Sequence, residues 1–166
     1  KEAEAQKYFE KLPFFAKLIR SFPFVRGIAI SGSLSKNIMY EDGDIDYFVI
    51  TSADRLWVCR TFLILFKMMF LFNSNKYFCV NYFVDENNLE IVDKNIFTAV
   101  ELTYLIPVYN QSIINDFKRA NNWTASYFPN FTHSIKLEVL EGGGIIKRII
   151  EFLLKGSIGN RIDLLF

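Results

Sequence analysis

The chain has 166 residues, of which 51% are hydrophobic and 22% charged, with a formal net charge of +1. That balance fits one compact domain with an ordinary core, rich in aromatic side chains, and excludes a disordered chain. The near-neutral charge excludes a broad basic face for extended duplex nucleic acid, while leaving room for a small anion such as a nucleotide.

The opening Lys1-Glu2-Ala3-Glu4 lacks the apolar segment of a signal peptide. Residues 2–20 place Tyr8, Leu12, Phe15 and Leu18 near helical spacing, and Phe22-Pro23 ends that helix. The run from Val25 to Ser31 is apolar and β-branched, of strand length. Gly32 closes it, and Ser33 to Met39 form a short helix with Ser33 at its N-terminal edge. Glu41-Asp42-Gly43 is a turn signal, after which Asp44 to Ile50 begin polar and continue as a buried strand.

Residues 55–72 read as a long apolar helix. Its core, LWVCRTFLILFKMMFLF, falls short of the ~20 apolar residues of a membrane span and carries Arg60 and Lys67, so no membrane segment is expected. Lys76 to Val84 reads as a strand, turned at Asp85 to Asn88 into a second strand, Leu89 to Val92, as a hairpin. From Phe97 the pattern becomes helical through FTAVELTYLI and SIINDFKRA. Gly142-Gly143-Gly144 is a flexible joint before an amphipathic helix over residues 145–155.

Cys59 and Cys79 lie in apolar runs, too few for a disulfide framework and too isolated for a zinc site; both read as buried reduced thiols, which points to a cytoplasmic setting. The single His133 leaves little room for a Ser-His-Asp triad. The expected fold is α+β, a mixed β-sheet flanked by helices, with residues 1–96 as the core and 97–166 as a helical C-terminal segment packed on it.

Chemistry concentrates between residues 25 and 50. Gly32 lets the backbone bend and an anion approach, and the amides that follow open a helix, whose N-terminus favours phosphate. Ser33 adds a hydroxyl. Lys36, on the same short helix, is the candidate cation for a phosphate, its alternative being a solvated surface lysine. Asp44 and Asp46 stand two apart and face one way on a strand. Two converging carboxylates suit Mg²⁺, which is held by one or two such groups together with substrate phosphates. A calcium loop of the EF-hand kind is excluded, because DGDID lacks the glycine and closing glutamate of that loop.

The run GIAISGSLSKNIMYEDGDIDYFVI resembles the signature of the polymerase-beta-type nucleotidyltransferase superfamily: a strand, Gly-Ser, about ten residues, then Asp-apolar-Asp-apolar. Ten residues separate Ser33 from Asp44, and Ile45 and Tyr47 fill the apolar slots. The stretches NYFVDENNLEI and FTAVELTYLIPVYN resemble small bacterial nucleotidyltransferase-domain proteins. The resemblance implies a nucleotidyltransferase-like fold and a metal-dependent transfer of a nucleoside monophosphate from a nucleoside triphosphate such as ATP to an unidentified acceptor. By the motif, Gly32 and Ser33 bind the nucleotide's phosphates and Asp44 and Asp46 hold Mg²⁺.

Many members of that superfamily carry a third carboxylate on a later strand, and the matching strand here has Asn81 at its polar centre. An amide is no general base. A hairpin turning at Glu86-Asn87 sets Glu90 on the face of Asn81, so Glu90 is the expected third catalytic acid, ahead of Asp85. Two rival readings remain. One is a non-catalytic nucleotide-binding module that lost its base; the other is an antitoxin-like module that binds a protein partner through the apolar stripe of IIKRIIEFLLK.

Overall fold

A computed structural model describes residues 1–133 and 135–154. In chain order it comprises α1 (Glu2–Arg20), β1 (Val25–Ile30), a 3-10 turn at Leu34–Lys36, β2 (Asp46–Thr51), α2 (Leu56–Phe70), β3 (Cys79–Asp85), α3 (Ile96–Thr103), β4 (Ile106–Tyr109), α4 (Gln111–Ala120), a 3-10 turn at Asn122–Ser126, and α5 (Ile145–Leu154). The strands form one sheet in the order β3-β2-β1-β4. β1 runs antiparallel to both β2 and β4, whereas β2 and β3 are parallel and joined through α2. A parallel pair needs such a crossover, because no tight turn can reverse the chain twice.

The central strands are apolar at almost every position because both faces of the sheet are covered. Ile28, Ile30, Tyr47 and Val49 pack with Leu12, Ile19, Val58 and Leu63 of α1 and α2. Ala29, Phe48 and Ile50 alternate with them and pack with Leu102, Ile114 and Phe117 of α3 and α4. The mixed sheet flanked by helices thus stands as expected. Along α2, Val58, Cys59 and Leu63 are buried while Leu65, Met68, Met69 and Phe70 are exposed. No helix among the described residues is long and apolar enough to cross a membrane.

Two expectations are overturned. The stretch from Phe97 is not helical throughout, since Ile106-Pro107-Val108-Tyr109 forms β4 and extends the sheet across the expected boundary at residues 96 and 97. Pro107 cannot continue a helix, and a sheet edge tolerates its missing N–H. The hairpin after β3 is also absent, as residues 89–92 form no strand. Two of their backbone groups are taken by one side chain: Asn121 Oδ1 accepts from Ile91 N at 2.8 Å and Asn121 Nδ2 donates to Leu89 O at 2.7 Å. Asn121 is itself buried, so these bonds replace a ladder that residues 89–92 would otherwise need.

α5 docks on its own chain through polar contacts. Glu151 accepts from Phe24 N at 2.7 Å and from both terminal nitrogens of Arg26 at 2.8 and 3.1 Å, while Lys147 Nζ donates to the carbonyl oxygens of Arg20 and Val25. The expected last residue of this helix, Lys155, and the rest of the C-terminal segment lie outside the described residues.

Candidate metal and anion site

Three separate pieces of backbone build the site. β1 delivers the chain to Gly32, whose φ of +64° is left-handed. A Cβ at that position would lie 2.2 Å from Asp46 Oδ2, so only glycine allows the carboxylate to pack against the bend. The following 3-10 turn closes at Asn37, also left-handed with φ 58°.

Parallel pairing of β2 with β3 supplies the second piece. Asp46 lies opposite Cys79 in the register, and Cys79 N donates to Ile45 O at 3.3 Å, which draws Asp44 to the same end of the pair. Asp44 precedes β2 and is not on the strand. One ligand atom from each of Asp44, Asp46 and Cys79 lies within 4.8 Å of the other two. The register then shifts, with Tyr47 opposite Val80 and Phe48 opposite Tyr82, leaving Asn81 as the extra residue of a bulge. Bulges re-aim a side chain, and Asn81 Nδ2 donates to Asp46 Oδ1 at 3.1 Å. The amide that stands where an acid was sought therefore orients the neighbouring acid.

Electrostatics follow from the crowding. Asp46 is half-buried, and burial followed by the charge of Asp44 lifts its carboxyl above the usual range; the hydrogen bonds from Cys79 and Asn81 act against that, and Glu101 adds to it. Burial, then the carboxylate of Asp44, pushes the Cys79 thiol up to about 12. Two acids and a thiol that repel one another's ionised forms gain most from a shared cation. The donor set fits a divalent ion: its carboxylates suit Mg²⁺, and its sulfur favours softer ions when the thiol ionises.

The third piece is α3. Glu101 accepts from Gly32 N at 3.2 Å and from Lys36 Nζ at 2.9 Å, and Lys36 Nζ also donates to Gly32 O at 2.9 Å. A carboxylate thus stands at the two donors, one backbone amide and one ammonium, that suit an anion. Lys36, one of the candidate nucleotide-binding residues, lies beside the bend. Ser33 sits in the bend, but its hydroxyl points to Met39 Sδ at 3.9 Å.

The acids expected to complete the site lie elsewhere in their contacts. Glu90 is exposed and pairs with Lys94 at 2.5 Å, because the hairpin that was to carry it onto the sheet does not form. Asp85 ends β3 and accepts from Asp54 N at 2.7 Å and Asn87 N at 2.8 Å, closing a turn. Glu101 and Cys79 are the residues that sequence reasoning missed. Glu101 is the only charged residue in FTAVELTYLI, a signal that was present. Cys79 gave none, since its role depends on the register of β2 with β3. Comparison of the chain with protein-family models, with curated proteins and with solved structures gives no match.

Proposed function

We propose that the chain is a metal-dependent nucleotidyltransferase that moves a nucleoside monophosphate from a nucleoside triphosphate to an acceptor. The observation that supports this most is the packing of Asp46 against the left-handed Gly32, with Asp44 and Cys79 gathered beside it. An anion-cupping bend and a cation-holding acid pair in contact are what a metal-bound triphosphate needs. Asp44 and Asp46 hold the ion, Mg²⁺ in this reading. When bound, it offsets the negative charge of the phosphates.

In this reading the triphosphate takes the Gly32 amide and the Lys36 ammonium in place of Glu101. The acceptor's hydroxyl oxygen bonds to the α-phosphorus as the bond from that phosphorus to the β-bridging oxygen breaks. Pyrophosphate leaves, and the hydroxyl proton passes to Glu101, freed from the bend. Asn81 keeps Asp46 oriented throughout.

The test is calorimetric titration of a non-hydrolysable nucleoside triphosphate with and without Mg²⁺, alongside pyrophosphate release with candidate acceptors. Asp46→Asn and Asp44→Asn are expected to lose the Mg²⁺-dependent part of binding. Binding in both variants equal to that of the unaltered chain defeats the proposal. Asn81 at the expected acid position favours a second reading, a nucleotide-binding module without transfer, which tight Mg²⁺-dependent binding with no pyrophosphate release would support. The antitoxin-like reading keeps its one support, because α5 docks through Glu151 and Lys147 while Ile145, Ile149, Phe152 and Leu153 of its apolar stripe stay exposed.

A further inference from the structure

Beside the carboxylates lies a cavity of about 410 Å³ between the sheet and α3, within the range of small-molecule sites. Its sheet wall is aromatic: the rings of Phe48 and Tyr82 stack at 5.4 Å with 9° between their planes. Phe97 of α3 lines the other side. Phe97 is 81% exposed and Tyr82 49%, so two aromatic faces that border one cavity are left to water. Asn81 and Glu101 also line it, and through them the cavity meets Asp46 and the Gly32 bend.

Charge narrows the occupant. Asp93 and Glu101 line the cavity, and no Lys or Arg does among the described residues. The cations that adjoin the lining residues are engaged: Lys36 by Glu101 and Gly32 O, Lys118 by Leu105 O, and Lys94 by Glu90. With Lys36 given to the triphosphate, a second phosphate-bearing molecule in the cavity would meet acids and no lining cation.

We propose that this cavity is the acceptor subsite and that it takes a small, flat, ring-bearing molecule with no negative charge, its hydroxyl or amine directed to the Asn81 and Glu101 end. This rests on the transferase reading for the word acceptor, and it excludes nucleotides, RNA ends and other phosphorylated acceptors. The rings of Phe97 and Tyr82 flank the occupant, and the lining acids Asp93 and Glu101 select against anions.

The experiment is calorimetric titration of the full chain, without metal or nucleotide, using three probes that share one ring: 2-naphthylmethanol, 2-naphthylmethylamine and 2-naphthoate. The alcohol and the amine are expected to bind, and the carboxylate to bind roughly tenfold more weakly. Phe97→Ala, at an exposed position that the fold does not depend on, should weaken the alcohol by about tenfold. Asp93→Asn should narrow the gap between alcohol and carboxylate. Equal binding of the carboxylate, no binding of any probe, or indifference to Phe97→Ala overturns the proposal. If Mg²⁺-dependent triphosphate binding persists while the probes fail, only the subsite falls. If the probes bind while triphosphate binding is absent in the unaltered chain, the acceptor role falls together with the transferase reading.

Discussion

A methyl group on residue 32 would press into Asp46 Oδ2 at 2.2 Å, in a backbone conformation with φ +64° that L side chains rarely adopt. Gly32→Ala therefore carries two costs: about 1–2 kcal/mol for the left-handed backbone and displacement of the carboxylate. Lower thermal stability and a loss of divalent-ion affinity are expected together, measured by calorimetric unfolding and by metal titration. Unchanged metal affinity would separate Asp46 from the bend. Cys79 makes a sharper statement about which ion is held. Its sulfur adds a soft donor to two hard ones. Cys79→Ser is expected to lower Cd²⁺ affinity by roughly tenfold or more, the scale of perturbing a metal's surroundings, while Mg²⁺ affinity changes little. Competitive titration of the two ions reads the difference. At this scale the sequence pointed to Gly32, Asp44 and Asp46 as neighbours, although Asp44 precedes β2 and strand alternation is not what brings it to Asp46. Cys79 needed knowledge of which strands pair and in what direction, and Glu101 needed the docking of a helix onto a bend.

Among the elements, α5 is the one whose anchorage titrates. Burial alone would raise the Glu151 carboxyl; the bonds from Arg26 and the Phe24 amide, with the charge of Lys147, outweigh it and hold the group below its ordinary value of 4.5. A carboxyl lowered in the folded state adds stability that is present above its unfolded value and lost as pH falls through the folded one. The urea midpoint should thus fall as pH drops below about 4.5, and Glu151→Gln should both lower the midpoint at neutral pH and flatten that acid limb. An acid limb of the same steepness in the variant would show that Glu151 is not the titrating clamp. Element identities were mostly readable: α1, β1, β2 and α2 follow from periodicity and length. The strand after residue 88 was not, because nothing in LEIV announces that Asn121, thirty residues on, supplies its backbone partners. β4 was missed between two runs read as helical, FTAVELTYLI and SIINDFKRA, although Pro107 between Ile106 and Val108 is a helix breaker with β-branched neighbours.

For the molecule as a whole, the sheet separates two cores, and the candidate site sits at one end of the sheet where α3 crosses it. Mutual repulsion of Asp44 and Asp46 is built into the folded state and relaxes when the chain unfolds, so a divalent ion that binds only the folded form should stabilise the entire chain. At an ion concentration a hundred times the dissociation constant the gain is about 2.7 kcal/mol. Thermal unfolding with and without Mn²⁺ measures it, and Asp46→Asn should abolish the shift; an equal shift in the variant places the ion elsewhere. The sheet flanked by helices was legible as strands alternating with helices, and the long helix between β2 and β3 is the crossover that makes them parallel.

The contact of Glu101 with Gly32 and Lys36 has one more consequence. A side chain anchored on α3 competes with any incoming anion at a fixed local supply, unaffected by dilution. The measured affinity for a phosphate is the intrinsic one multiplied by the fraction of molecules in which that rival has let go. Cutting the rival away, as in Glu101→Ala, should tighten the grip on simple polyphosphates even as it removes the group to which the proposed transfer gives the proton, so retention and turnover would part company in a single variant.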